Sequence, residues 1–146
     1  MTQEDKELLL KDLCARLPYG VFCNIGLDYP LPLQSLSVDK LDGVLLDFYE
    51  DGKDYQVYLG EVKPYLFPLS SLTEEQRNNI CQLLLDTQNK FSPYGEINSK
   101  GCDNLFISSV KQSNALINYC LTNHLDINSL IEKGLAIDAT GLNIYC

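Results

Sequence analysis

From residue 2 to residue 17 the apolar positions recur every three to four residues. Leu9, Leu13 and Leu17 stand four apart, with Leu10 and Cys14 on the neighbouring strip, the pattern of a single apolar helix face. Thr2 can cap this helix, and Asp5, three residues on, completes a shortened capping box. Pro18 disfavours helical backbone at Leu17, so the helix is expected to stop there or just before. The period then changes from helical to alternating. Val21, Cys23 and Ile25 share one face of an expected strand over 21–25. Residues 27–32 carry Pro30 and Pro32 and are expected to form an extended connection outside any ladder.

Three alternating runs follow, separated by Asp-Gly pairs. A two-residue turn at Asp51-Gly52 pairs Glu50 with Lys53, Phe48 with Tyr55, Leu46 with Val57 and Val44 with Leu59, which places every apolar side chain on one face. The same turn at Asp42-Gly43 would bring Ser37 and Asp39 onto that face. A three-residue loop, Leu41-Asp42-Gly43 with Gly43 left-handed, pairs Val38 with Leu46 and Leu36 with Phe48 instead. A slip of one residue inverts every side chain, so burial selects the three-residue loop. The expectation is an antiparallel meander with strands near 34–40, 44–50 and 53–60.

Residues 61–69 are apolar but broken by Pro64 and Pro68, and are expected to cross the sheet and cover one end. Thr73-Glu74-Glu75-Gln76 is a capping box with its acids where the helix dipole favours them. The helix it starts should reach about Asn89 and bury Ile80, Leu83 and Leu84. Residues 90–104 mix Gly, Pro, Ser, Asn and Asp and form the longest expected loop. Ser109 with Gln112 opens a helix to about Asn123, with Leu116, Ile117, Cys120 and Leu121 inward. A helical turn near 128–133 stops at Gly134, a natural left-handed cap. Segments 135–138 and 142–145, joined through Thr140-Gly141, are expected to pair as a hairpin. The fold class is therefore α+β, a single domain over 1–146: an antiparallel β-meander of about four strands packed by an N-terminal helix and two later helices, with a small C-terminal hairpin.

Composition narrows the function classes. The chain has 146 residues, 45% of them hydrophobic, enough for a core without a metal or disulfide staple. No window resembles a membrane span, and the acidic start, Glu4 and Asp5, is unlike a secretory signal. Twenty acids against 11 Lys and Arg give a net charge of −9. Phosphate-directed nucleic-acid binding and anionic membranes are disfavoured, since both need clustered bases. The densest acidic stretch is 39–54, which reads first as a solvated sheet edge. Six cysteines contain no CxxC pair, so the thiols are read as reduced, the compartment as cytosolic, and Cys14, Cys81 and Cys120 as small buried hydrophobes.

Candidate chemistry is sparse. No phosphate loop, dinucleotide fingerprint, HExxH, nucleophile elbow or EF-hand loop occurs. No catalytic residue, metal site or cofactor is assigned. His124, the only histidine, sits past an expected helix end, where an imidazole can cap carbonyls. Cys120 lies one turn before it and could pair with it as a thiol nucleophile, and Asp126 is the nearest acid that could orient the ring. Cys120 nevertheless belongs to an apolar strip. Asp47, Tyr49 and Tyr58 share the outer face of the meander and form a small aromatic–acidic surface suited to a protein partner. A helix packed over that face would explain the same residues. Tyr65, Phe67, Tyr94 and Phe106 read as aromatics pinning loops to the core.

Three segments carry a family resemblance. They are Leu17-Pro18-Tyr19-Gly20-Val21, the run from Val62-Lys63-Pro64-Tyr65-Leu66-Phe67-Pro68 into Thr73-Glu74-Glu75-Gln76, and Asn128-Ser129-Leu130-Ile131-Glu132-Lys133-Gly134. They resemble a group of small hypothetical proteins of gut Bacteroides-type bacteria and their phages or mobile elements. That resemblance implies a bacterial cytosolic setting and a mobile-element origin, and it brings no activity, ligand or catalytic residue. The leading functional expectation is a non-enzymatic interaction or accessory domain with a protein partner. The alternatives are an acidic nucleic-acid mimic that occupies a DNA-binding protein, and a small enzyme without a recognisable motif.

Overall fold

The computed structural model describes residues 2–39, 43–88 and 114–145. Helix α1 (Gln3–Arg16) starts as its capping pattern requires: the Thr2 hydroxyl accepts the Asp5 N–H at 3.1 Å, and the Asp5 carboxylate accepts the Thr2 N–H. It gives way at Pro18 to a 3-10 turn over Leu17–Tyr19. Leu9 and Leu13 are fully buried, whereas Cys14 is exposed, because it sits beside the apolar strip and not within it.

Six strands form one mixed sheet: β1 (Phe22–Asn24), β2 (Leu31–Asp39), β3 (Gly43–Glu50), β4 (Lys53–Tyr58), β5 (Lys63–Leu66) and β6 (Ile137–Asp138). Their order is β4-β3-β2-β1-β5-β6. All neighbours are antiparallel except β5 and β6, which are parallel. The β3–β4 register is the expected one from Glu50↔Lys53 to Leu46↔Val57. Asp51 and Gly52 both take positive φ, 50° and 81°, as a type I′ turn demands. The expected Val44–Leu59 pair does not form, because Leu59 turns away into a 3-10 turn over Leu59–Glu61.

Several expectations are corrected. The β2–β3 ladder pairs Val38 with Val44 and Leu36 with Leu46, two residues from the expected register. A two-residue shift keeps the same side chains inward, so the burial pattern alone could not tell the two apart. An irregularity between Leu33 and Ser35 then brings Leu33 opposite Phe48. The proline-bearing segments join the sheet: Pro32 pairs with Phe22, and Pro64 with Cys23. Each lies at the start of a strand with a neighbour on one side only, where a missing N–H is tolerated. The sheet is thus a longer, mixed one and not a four-stranded antiparallel meander.

The C-terminal hairpin is also absent. Residues 137–138 pair in parallel with Tyr65 and Leu66, and the Ala139 N–H continues the contact to the Leu66 carbonyl at 2.8 Å. The tail instead delivers Tyr145 to the gap between β1 and β5. Its hydroxyl accepts the Phe22 N–H at 3.0 Å and donates to the Tyr65 carbonyl at 2.7 Å. Phe22 and Tyr65 would be the next pair after Cys23↔Pro64, so the phenol takes the place of a direct strand–strand bond. Residues 128–133 form turns and no helix, and Gly134 closes them with φ 73°.

One core cluster lies between α1 and the sheet, with Leu9, Leu13, Val21, Leu46, Phe48 and Leu130 among its buried members. A second joins α2 (Glu74–Gln88) to α3 (Asn114–Thr122) through Ile80, Leu116, Cys120 and Leu125. The α2 capping box forms between Thr73 and Gln76 in both directions, at 3.0 and 3.1 Å. Cys81 on α2 is disulfide-bonded, so the reduced-thiol expectation fails there; an even cysteine count leaves that option open. Loop 90–104, Tyr94, Phe106 and the Ser109–Gln112 box lie outside the described residues. Among the described residues no helix is long and apolar enough to cross a membrane.

Between the two clusters lies a buried ion pair. Asp12 and Arg16 are 1% and 0% exposed, and Arg16 Nε donates to Asp12 at 2.6 Å. Arg16 Nη2 reaches both Asp12 and the Leu125 carbonyl, and Asn128 Nδ2 donates to Asp12 at 2.8 Å. Removing one partner leaves a buried charge uncompensated. Asp12→Ala is expected to lower stability by about 3–5 kcal/mol in urea unfolding, whereas Asp12→Leu/Arg16→Met loses less than that single change. A double variant as unstable as the summed singles would show the pair to be uncoupled.

Candidate functional site

The strongest surface feature is the outer face of the β2–β4 sheet. Alternation sends Asp47 and Tyr49 of β3 outward, with Gln56 and Asp54 of β4 directly opposite them. Ser35 of β2 stands opposite Asp47 on the other side. The Asp47 carboxylate accepts one bond from Ser35 Oγ at 2.8 Å and one from Gln56 Nε2 at 2.9 Å. It is therefore held rigidly at the centre of the face. Tyr49 is 52% exposed and Tyr58 46%. Among the described residues no helix covers them.

A shallow groove of about 640 Å³ runs over this face, lined by Gln34, Ser35, Asp47, Tyr49, Asp54 and Gln56. It contains Asp47 and Tyr49 but not Tyr58. Tyr58 lies opposite Leu45 and borders a separate hollow of about 250 Å³ with Gln3, Lys6 and Glu7 of α1. The structure thus brings two of the three expected residues into one groove and sets the third beside it. Asp54 and Gln56 were legible as cross-strand partners once the hairpin register was known. Ser35 was not, because the expected register put Ser37 opposite Asp47. Interaction with the Tyr55 hydroxyl, from the inner face of the same hairpin, pushes the pKa of the exposed Tyr29 up to about 12.

The Cys120–His124 pair does not form a nucleophilic site. Cys120 is fully buried, and desolvation pushes its thiol up to about 12 despite the nearby Arg16 charge. A thiol that does not ionise near neutrality is inert. His124 occupies the left-handed position after α3, with φ 59°. Its N–H bonds to the Leu121 carbonyl and the Leu125 N–H to the Cys120 carbonyl, the two bonds of a Schellman cap. The backbone, and not the imidazole, closes the helix.

The His124 ring stacks on Tyr145 with centroids 3.6 Å apart, and its Nδ1 is buried without a hydrogen-bond partner. Asp126 does not orient it, since its two oxygens accept the Leu130 and Ile131 N–H groups at 2.8 and 3.0 Å. Among the described residues no group of three or more His, Cys, Asp or Glu side chains could hold a metal ion. The chain matches no family model, no curated protein and no solved structure.

Burial first, and the Arg16 charge second, push the His124 pKa down to about 4 from 6.5. The unfolded chain therefore takes up the proton first as pH falls. The stability linked to this ring is complete above about pH 6.5 and declines towards pH 4. The urea midpoint is expected to fall between pH 7 and 5, less steeply in His124→Asn, a residue that tolerates positive φ. In the native protein the imidazole resonances should stay flat over that range. A ring that titrates near its ordinary value would overturn the buried placement.

Proposed function

We propose that the protein is a non-enzymatic interaction domain and that the outer sheet face around Asp47, Tyr49 and Tyr58 meets a protein partner. One observation carries this reading: a carboxylate fixed by two hydrogen bonds, flanked by tyrosines left about half exposed. Tyrosine supplies large contact area at low entropic cost, and a preorganised acid adds direction without further ordering. The acidic-mimic alternative has less behind it. It needs carboxylates in a long row like phosphates, whereas the acids of this face, Asp47 and Asp54, sit together in one groove.

A bacterial cytosolic setting and a phage or mobile-element origin belong to the same proposal. The cytosolic part rested on reduced thiols and on the resemblance. With Cys81 disulfide-bonded, the resemblance is its remaining support.

The test is an affinity pull-down from host lysate with wild-type bait beside Asp47→Lys/Tyr49→Ala/Tyr58→Ala. The expected outcome is a specific partner retained at moderate salt by the wild type and lost with the variant, while the variant melts within a few degrees of the parent. If neither bait captures a partner, the interaction reading falls, and ligand screening by thermal shift takes its place.

A further inference from the structure

β4 is the last strand of the sheet, and β3 is its only neighbour among the described residues. In a hairpin closed by a two-residue turn, the flanking pair Glu50↔Lys53 is hydrogen-bonded, and bonding alternates from there. Lys53, Tyr55 and Val57 therefore spend their backbone groups on β3. Asp54, Gln56 and Tyr58 turn their N–H and C=O groups away from the sheet. These three residues also send their side chains to the outer face. The unpaired edge and the tyrosine–aspartate face are thus two sides of one ridge.

Edges of this kind are commonly blunted by proline, by a bulge, by shortness or by charged side chains, of which β4 carries Lys53 and Asp54 at its turn end. β4 has no proline, pairs with β3 without a register shift and runs for six residues. The opposite end of the sheet closes on the two-residue β6. We propose that the β4 edge binds an extended segment of a protein partner by strand addition, and that the segment carries Lys or Arg on its outward-facing positions. The inference rests on the interaction reading above and names its mode. Charge selects the occupant: an added strand sets its outward side chains beside Asp54, two strands from Asp47, and its inward ones beside Tyr55 and Val57. A basic, alternating segment fits both rows. A second copy of this chain brings a net charge of −9 against the same charge, so it is the less favourable occupant.

The probe is a fluorescein-labelled heptapeptide alternating lysine and valine. Its controls are the glutamate–valine version and a lysine–valine version N-methylated on alternate amides, which keeps the charge but cannot form the ladder. Binding is read by anisotropy at about 0.15 M salt, and the site by amide exchange of the full chain. The lysine probe is expected to bind at least about tenfold more tightly than either control and to protect the Asp54, Gln56 and Tyr58 amides. On the protein, Asp54→Ser removes the charge and keeps the N–H, whereas Asp54→Pro also removes the N–H. The proline variant should lose at least about tenfold more affinity than the serine one, with both folded by far-UV circular dichroism. Equal binding of the N-methylated probe, unprotected edge amides, or equal loss in the two variants would overturn strand addition. If the lysate partner is still captured in that case, the interaction reading survives without it. A dimer of the chain alone that Asp54→Pro dissolves would also overturn the proposal, by making the second copy the occupant.

Discussion

Arg16 is fully buried, and its charge organises the half of the molecule that surrounds it. A guanidinium removed from water needs a carboxylate and carbonyls close by, or the fold cannot hold it. Asp12 supplies the first from one turn earlier in α1, and Leu125 supplies the second from 109 residues away. Asn128 then binds the same carboxylate from the following turn. The C-terminal third is thereby committed to lie across α1. Leu125 is also bridged in parallel to Phe67, just past β5, so one buried charge draws helix, sheet and tail to a common point. The electrostatic consequences follow. Burial first, and this charge second, favour the neutral His124 ring.

Local chemistry was legible in the sequence to the extent that it was local. The Thr2 and Thr73 caps, the Asp51-Gly52 turn and the β3–β4 register follow from residues a few positions apart, and burial then fixes the face. The ion pair was not legible, because a helical pattern assigns Asp12 and Arg16 to the solvent side by type. Only the remote Leu125 carbonyl and Asn128 amide make their burial affordable. The β5–β6 pairing was hidden for the same reason, since its two strands are some seventy residues apart and one of them contains Pro64.

The outer face shows where such reasoning reaches its limit within a single site. Hairpin arithmetic places Asp47 beside Gln56 and Tyr49 beside Asp54. It cannot place Ser35, whose position depends on a two-residue choice of register that leaves the same side chains inward. Burial patterns detect odd slips and are blind to even ones. The irregularity between Leu33 and Ser35 resolves the conflict by letting Leu33 meet Phe48 in the core while Ser35 reaches Asp47 outside. Of the two hydrogen bonds that fix the Asp47 carboxylate, the one from Gln56 follows from the hairpin register and the one from Ser35 from the two-residue register choice.

These features divide the sheet into two ends with different constraints. At the β1–β5–β6 end, long-range bonds from the tail, the Tyr145 hydroxyl and Arg16 tie remote backbone groups together. At the β4 end, the hairpin is held by a local turn and by one row of inner side chains. The outward N–H and C=O groups of Asp54, Gln56 and Tyr58 have no strand neighbour there among the described residues. A fold tied together by buried charge at one end can leave the other open without losing its shape. That is the condition under which an exposed edge serves recognition rather than marking instability.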